Sequence, residues 1–226
     1  MPVDTMELAL FPLDVVLFPG MELPLHIFEE RYRVMVNRCL AETSGFGVVW
    51  AGPARDSSQL AAISTVGTMA RIMRVKRLDD GRMNIVTKGT ERFRILEIVQ
   101  RQPYLTARVE GYDLEEQSAA SAGKYALHAS SLLIQYLRLA GETLGVGMQL
   151  ETVPRDPSAL AYTIAAGLQV SLEEKQGLLE SRGLSSMLKL ECDILTREVE
   201  LLKSLAQFQD LDVGYIRGAT SVMSLS

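Results

Sequence analysis

Histidine, cysteine and tryptophan are scarce in this 226-residue chain, which holds 2 His, 2 Cys and 1 Trp. With His26 and His128 as the only imidazoles, no HExxH helix can be written, and a zinc site would have to recruit distant carboxylates or thiols. Cys39 and Cys192 lie far apart, outside any CxxC pair and each in a stretch of helical periodicity, so they read as buried free thiols. No metal and no cofactor is expected. The phosphate-binding pattern GxxxxGK[ST] is missing, since the only Gly-Lys pair, Gly123-Lys124, is followed by Tyr125 and lacks the earlier glycine. Gly45/Gly47 and Gly145/Gly147 each lack the third glycine of a dinucleotide loop, and GxSxG does not occur. Serines and lysines are plentiful, but no strained Gly-rich turn marks a Ser/Lys nucleophile. Catalysis is therefore the reading with the least support, and no catalytic residue is nominated.

Long apolar runs are missing too. SLLIQYL (131 to 137) is already interrupted, far short of the roughly 20 residues that a bilayer span needs. The start, MPVDTMELAL, has no basic region and carries Asp4 and Glu7 where a signal peptide is apolar. These features predict a cytoplasmic protein without membrane contact.

What is present is ample core material, with 47% hydrophobic residues, enough for one large domain or two small ones. The net charge of -5 and pI near 5.2 argue against a surface wholly committed to nucleic acid or anionic lipid. The acidic total conceals an uneven distribution. Residues 71–108 hold 10 Lys/Arg against 4 Asp/Glu, a balance of +6, which leaves 13 against 24, or -11, for the remainder.

Short strand signals fill the chain up to about residue 112. FGVVWA (46 to 51) is rich in β-formers, TMARIMRVKRL runs into the hairpin dipeptide Asp80-Gly81, and RMNIV follows. FRILEI (93 to 98) comes next, and in YLTARV (104 to 109) Leu105, Ala107 and Val109 alternate with Tyr104, Thr106 and Arg108. Closely spaced strands of this kind predict a small barrel or sandwich. One helix interrupts them. From Ile27 to Leu40 the residues Phe28, Tyr32, Met35, Val36, Cys39 and Leu40 recur at three- and four-residue steps, a face able to cross a barrel mouth.

Beyond about residue 117 the period becomes helical. An Ala-rich stretch from Ser118 runs to about Gly141, and Asp156-Pro157 gives an N-cap followed by proline at the first helical position. Ser171 and Glu174 form a capping box ahead of a short helix. A long amphipathic segment (184 to 205) then contains neither Gly nor Pro. Four helices with short connections predict a bundle, followed by a loosely ordered tail from about Asp210.

Two clusters suggest sites. His26, Glu29, Glu30 and Arg31 look catalytic, yet glutamates in a first helical turn complement the helix dipole and pair with Arg31 or Arg33, which is the preferred reading. Arg74, Lys76, Arg82, Arg92 and Arg94 are placed on adjacent strands, where they form a nucleic-acid face by charge alone. Phe93 and Tyr104 are the only rings between residues 71 and 108, so a solvated wall is preferred and nucleic acid is the alternative.

The opening stretch LFPLDVVLFPGMELPLHIFEERYRVMV resembles the start of the N-terminal domain of Lon proteases, which also occurs as a stand-alone bacterial protein and in cereblon. GTMARIMRVKRLDDGRMNIVTKGTERFRI (67 to 95) is similar to that family's strand, hairpin and "G-x-x-R-F-R-I" segment, and KQGLLE (175 to 180) with the leucine-rich helix after it extends the likeness over roughly residues 7 to 208. Glu30 departs from the pattern, many relatives having proline there. The resemblance implies an α+β fold: a PUA-like β-barrel with a crossing helix over 1–115, a C-terminal four-helix bundle over 116–209, and a tail over 210–226. It also implies recognition of protein substrates without cleavage, because the ATPase and Ser-Lys peptidase modules of full-length Lon find no room in 226 residues. Unfolded or specific polypeptides are thus the expected partners, with Met21, Leu23 and Phe28 of the opening stretch as candidate contacts and the 10 methionines suited to an adaptable surface. The leucines of the final helix make a homo-oligomer a further expectation.

Overall fold

Two local signals in the first half become the turns that set the sheet's register. Phe18-Pro19-Gly20-Met21 folds back with Met21 N–H donating to Phe18 O at 3.1 Å, and Gly20 takes φ 85°, a conformation that glycine adopts without a Cβ clash. At Asp80-Gly81 the Gly81 φ is 79° and Leu78 N–H donates to Arg82 O at 2.8 Å, closing the predicted hairpin. The protein is described from a computed structural model covering residues 5–52, 63–115, 119–144 and 152–222, with positions 119, 120, 144 and 208–222 given by their backbone alone. Residues 223–226 of the expected tail, and the Gly145/Gly147 pair, lie outside the described residues.

The strands are β1 (Thr5–Leu13), β2 (Glu22–Ile27), β3 (Phe46–Trp50), β4 (Val66–Arg77), β5 (Met83–Gln100) and β6 (Leu105–Gly111). They form a mixed sheet in the order β2-β5-β4-β3-β1-β6, and β6 pairs again with β5, so five strands complete a circuit to which β2 is joined through β5. Only β1 and β3 run parallel; the other ladders are antiparallel. Both strand prolines sit where a missing N–H is tolerated. Pro12 follows the last β1–β6 pair, Leu10↔Leu105, and Pro24 lies on β2, which pairs with β5 alone among the described strands.

Helix α1 (Glu30–Glu42) follows β2 and buries Tyr32, Met35, Val36 and Cys39, the face read from its periodicity. It starts three residues later than the pattern from Ile27 suggests, because Ile27 pairs with Met83 as the last residue of β2. Glu29 is its N-cap residue. Val15 to Phe18, although strand-like in composition, form no strand; they are a tucked connection whose side chains divide between two cores. Leu17 packs with α1 against the sheet, alongside Phe11, which stacks on Tyr32 at 4.0 Å, whereas Val16 and Phe18 enter the helical core.

The second half consists of α2 (Ala119–Leu144), α3 (Pro157–Gly167), α4 (Leu172–Glu180) and α5 (Leu184–Val222). Both predicted caps form. The Asp156 carboxylate accepts from Ala159 N–H at 2.7 Å with Pro157 opening α3, and Ser171 and Glu174 make the reciprocal capping box of α4. Cys39 and Cys192 are free and buried, as expected. α5 continues through 210–222, where the sequence suggests a loose tail. Along α5, Leu188, Cys192, Leu195, Val199 and Leu202 pack against Leu133, Tyr136 and Ala140 of α2 and Leu160 and Ile164 of α3 in one cluster. Glu191 is fully buried on α5, and neither carboxylate oxygen has a hydrogen-bond partner among the described residues. Burial pushes its pKa well above the usual carboxylate range.

Candidate functional site

Strand parity builds an outward face across β2, β5 and β4. In β5, Met83, Ile85 and Thr87 are buried, so Asn84, Val86 and Lys88 face outward. Their register partners continue the same face in three rows: Glu22–Lys88–Arg71, Pro24–Val86–Arg74 and His26–Asn84–Lys76. These rows hold four cations against one carboxylate. None of Arg71, Arg74, Lys76 or Lys88 belongs to any of the ion pairs among the described residues. A shallow groove of about 730 Å³ runs over the last two rows, with Pro24 and Val86 as its apolar floor and Arg74 and Lys76 along one side. His26 is held within it by a 2.6 Å contact between Nδ1 and Asn84 Oδ1.

Of the five cations nominated from sequence, this face contains only Arg74 and Lys76. Arg82 lies at the hairpin tip and is paired with Asp80, Nε to Oδ2 at 2.6 Å. Arg94 faces Glu110 at 3.7 Å. Arg92 is a correction: it is 2% exposed, and its Nη1 donates to Leu179 O at 2.6 Å and Ser181 O at 2.7 Å. Its guanidinium also lies 5.0 Å from the Tyr112 ring centroid. It therefore joins β5 to the end of α4, where unpaired helix carbonyls attract a cation. Tyr112 Oη–H donates to Glu180 O at 2.8 Å and Gln176 Nε2–H to Val66 O at 3.1 Å, extending the same seam between sheet and helices. Such a residue cannot present its charge to a ligand.

Met21, Leu23 and Phe28 do not converge on one patch. Met21 is half-buried where the Pro19-Gly20 turn meets α3, at the rim of a second groove of about 540 Å³ that includes Ala159, Tyr162 and Ala166. Leu23 is half-buried on the inner side of β2. Phe28 is 61% exposed and stacks on His26 with centroids 6.1 Å apart. The members of the His26/Glu29/Glu30/Arg31 cluster are held in local pairs: Arg31 pairs with Glu29 and Arg33 with Glu30, each at 2.8 Å, while His26 turns to Asn84. No group of three or more His, Cys, Asp or Glu poised for a metal occurs among the described residues, and none of their helices is long and apolar enough to cross a membrane. Arg71 and Lys88 are the cations of this face that sequence reasoning passed over. Pro24 carried the available signal, since a proline inside an alternating strand marks an edge.

The topology, an α+β arrangement of a mixed sheet followed by packed helices, defines the class. The chain belongs to the ATP-dependent protease La (LON) substrate-binding domain family, whose sequence model matches residues 7–197. It is 32% identical over 201 residues to the Lon protease of Anaeromyxobacter dehalogenans, covering 87% of this chain and 24% of that protein. It is 31% identical over 199 residues to Lon protease 2 of Myxococcus xanthus, with the same coverage of 87% and 24%. The chain thus spans about a quarter of the length of these curated relatives. Solved structures bear out the fold. A Lon N-terminal domain protein from Xanthomonas campestris superposes with TM-score 0.58 at 24% identity, covering 81% of this chain and 95% of that one. The N-terminal domain of the Mycobacterium avium complex Lon protease gives 0.61 at 22% identity, covering 84% and 98%.

Proposed function

We propose that the chain is a non-catalytic polypeptide-recognition module whose architecture is a PUA-like barrel over 1–115 joined to a helical bundle over 116–209. The observation that carries the functional reading is the match of residues 7–197 to a substrate-binding domain family. The strand circuit from β5 through β6 and back to β5 supports the barrel, and the shared apolar cluster of α2 to α5 supports the bundle. Surface chemistry agrees with the functional reading. The two grooves combine an apolar floor with a polar rim, one on the outer sheet face and one at the meeting of the Pro19-Gly20 turn with α3. The nucleic-acid alternative is weaker than its sequence signal, because Arg92 is buried and Arg82 and Arg94 face carboxylates.

Fluorescence anisotropy with labelled β-casein, an unfolded chain, tests the reading against disulfide-intact lysozyme as a folded control. Casein is expected to bind with a dissociation constant on the order of micromolar, about -8 kcal/mol. Equal signals from casein and lysozyme, or none from casein at a hundredfold higher concentration, overturn it. Light scattering on the same samples reads self-association, for which Leu190, Leu201 and Leu205 are exposed on α5.

A further inference from the structure

β2 is a sheet edge that no other described strand covers, and it is built for one kind of partner. In an antiparallel ladder alternate residues direct both N–H and C=O to the same neighbour. Thr87 Oγ1–H donates to Leu23 O at 3.0 Å and Gly89 N–H to Met21 O at 2.9 Å, so the odd-numbered residues of this segment face β5. Pro24, with no N–H to give, occupies the opposite parity. The backbone groups of Glu22, Pro24 and His26 therefore point away from the sheet, their side chains are exposed, and β2 pairs with β5 alone among the described strands. That edge offers the N–H and C=O of Glu22, the C=O of Pro24 and the N–H and C=O of His26. An extended polypeptide supplies the matching alternation; a nucleic acid does not.

Charge selects among polypeptides. Strands added to a sheet lie about 4.8 Å apart, which places a new strand beside β2 about 10 Å from β5 and about 14 Å from β4. An extended Lys88 facing an extended glutamate closes the shorter span, and Arg74 and Lys76 act across the longer one by charge attraction, screened over about 10 Å. Lys88 on β5 and Arg71, Arg74 and Lys76 on β4 are unpaired among the described residues and lie on the same outward face as the groove. A second copy of this chain is a poor occupant. Antiparallel β2–β2 pairing would set two donorless prolines near each other and bring two such cation rows onto one face.

Building on the polypeptide-recognition reading, we propose that β2 captures an extended, acidic segment of another protein by strand addition, with the outward cations Lys88, Arg74 and Lys76 reading its carboxylates. The backbones of Glu22 and His26, on either side of Pro24, each give this ladder a donor and an acceptor. Pro24 breaks it after a few bonds, which limits how long a strand can be held.

The test uses the full chain and a capped ten-residue peptide alternating glutamate with valine or threonine. Binding is measured by anisotropy and amide exchange. The peptide is expected to bind and to slow exchange of the His26 amide by about tenfold or more. Methylating its backbone nitrogens on one edge is expected to abolish binding, because it removes the ladder donors and leaves the side chains in place. Arg74→Glu/Lys88→Glu is expected to weaken binding by roughly tenfold, an effect shrinking with salt. His26→Pro removes the edge donor; if that variant does not fold, the methylated peptide still tests the ladder on unaltered protein. Equal affinity for methylated and unmethylated peptide overturns the proposal, as does tighter binding of a ten-nucleotide oligouridylate, or a dimer whose formation protects the His26 amide without peptide. Casein binding with no binding of the acidic peptide overturns strand addition alone; loss of both removes the recognition reading as well.

Discussion

Truncating Arg92 tests whether the two halves of this protein are held together by the seam between β5 and α4. In Arg92→Met the stem volume is largely kept while both bonds from Nη1 to Leu179 O and Ser181 O are lost. Hydrogen bonds involving a charged group are worth about 1.5–3 kcal/mol each. The guanidinium 5.0 Å from Tyr112 adds on the order of 0.5–2 kcal/mol. Set against these gains, Nε and Nη2 are buried without partners among the described residues, and burial lowers the Arg92 pKa from its ordinary value. Removing the charge returns part of that desolvation cost, so the net loss is about 3 kcal/mol, the lower end of what breaking a buried charged contact costs. Against a total stability of about 5–15 kcal/mol this is large. Urea unfolding followed by circular dichroism, dominated by the helices, and by fluorescence of Trp50, which ends β3 and packs against the helical core, reads it in the helices and where the sheet meets them. The two transitions are expected to coincide in the unaltered protein and to separate in Arg92→Met. Arg94→Met, which removes a half-buried charge 3.7 Å from Glu110 and 4.5 Å from the same Tyr112 ring but bonded to no helix carbonyl, is the control and is expected to cost on the order of 1 kcal/mol. Tyr112→Phe, which leaves Glu180 O without its donor, should couple to Arg92→Met in a double-mutant cycle by about 0.5 kcal/mol or more. An Arg92→Met cost no greater than that of Arg94→Met would refute the seam.

Two further outcomes follow from buried groups. Glu191 binds its proton more tightly folded than unfolded, so stability is greatest below the ordinary carboxylate pKa of 4.5 and falls as pH rises through the window up to the folded pKa, by at most about 1.4 kcal/mol per pH unit from this group. Glu191→Leu should remove that slope and raise stability at neutral pH; an unchanged profile measured by denaturant titration from pH 5 to 8 excludes a folded-state proton there. Gly47→Ala would place a Cβ 2.6 Å from the Phe93 ring and 2.9 Å from Leu10, and is expected to destabilise by about 1–3 kcal/mol in thermal unfolding, an effect that Phe93→Leu in the same background should partly relieve.

What could be read from sequence divides by the range of the interaction that decides it. The Asp80-Gly81 hairpin, the Asp156-Pro157 start and the Ser171/Glu174 capping box are legible, because each depends on residues within a few positions. The start of α1 was misplaced because Ile27, helical by periodicity, gains more by pairing with Met83 across 56 positions. Val15 to Phe18 have strand composition, but their burial is divided between two cores and no ladder claims them. Arg92 and Arg94 look equivalent in RFR. Their fates differ because α4 ends beside one and Glu110 faces the other, a long-range fact that composition does not contain. For the outward face, the positive balance of residues 71–108 was visible, whereas the rows that align Lys88 and Arg71 with Glu22 needed the register.

The segment from Leu10 to Tyr32 then has a physical role that its catalytic appearance hides. Leu17 enters the core under α1 while its neighbours Val16 and Phe18 enter the helical core, so a single connection ties the sheet to both. The Pro19-Gly20 turn that follows fixes where β2 begins, through Gly20 N–H to Gly89 O and Gly89 N–H to Met21 O, each at 2.9 Å. That anchoring determines the parity of β2, and parity determines which residues face outward from its edge. Pro24 falls on the outward set, where it costs the sheet no bond and interrupts the exposed edge. A one-residue slip would direct Pro24 at β5, forfeit a ladder bond and turn Leu23 and Leu25 to solvent, so the turn, the proline and the half-buried leucines all enforce the same register. The register that best satisfies the core thereby turns the backbone groups of Glu22, Pro24 and His26 to the side of β2 that no described strand claims.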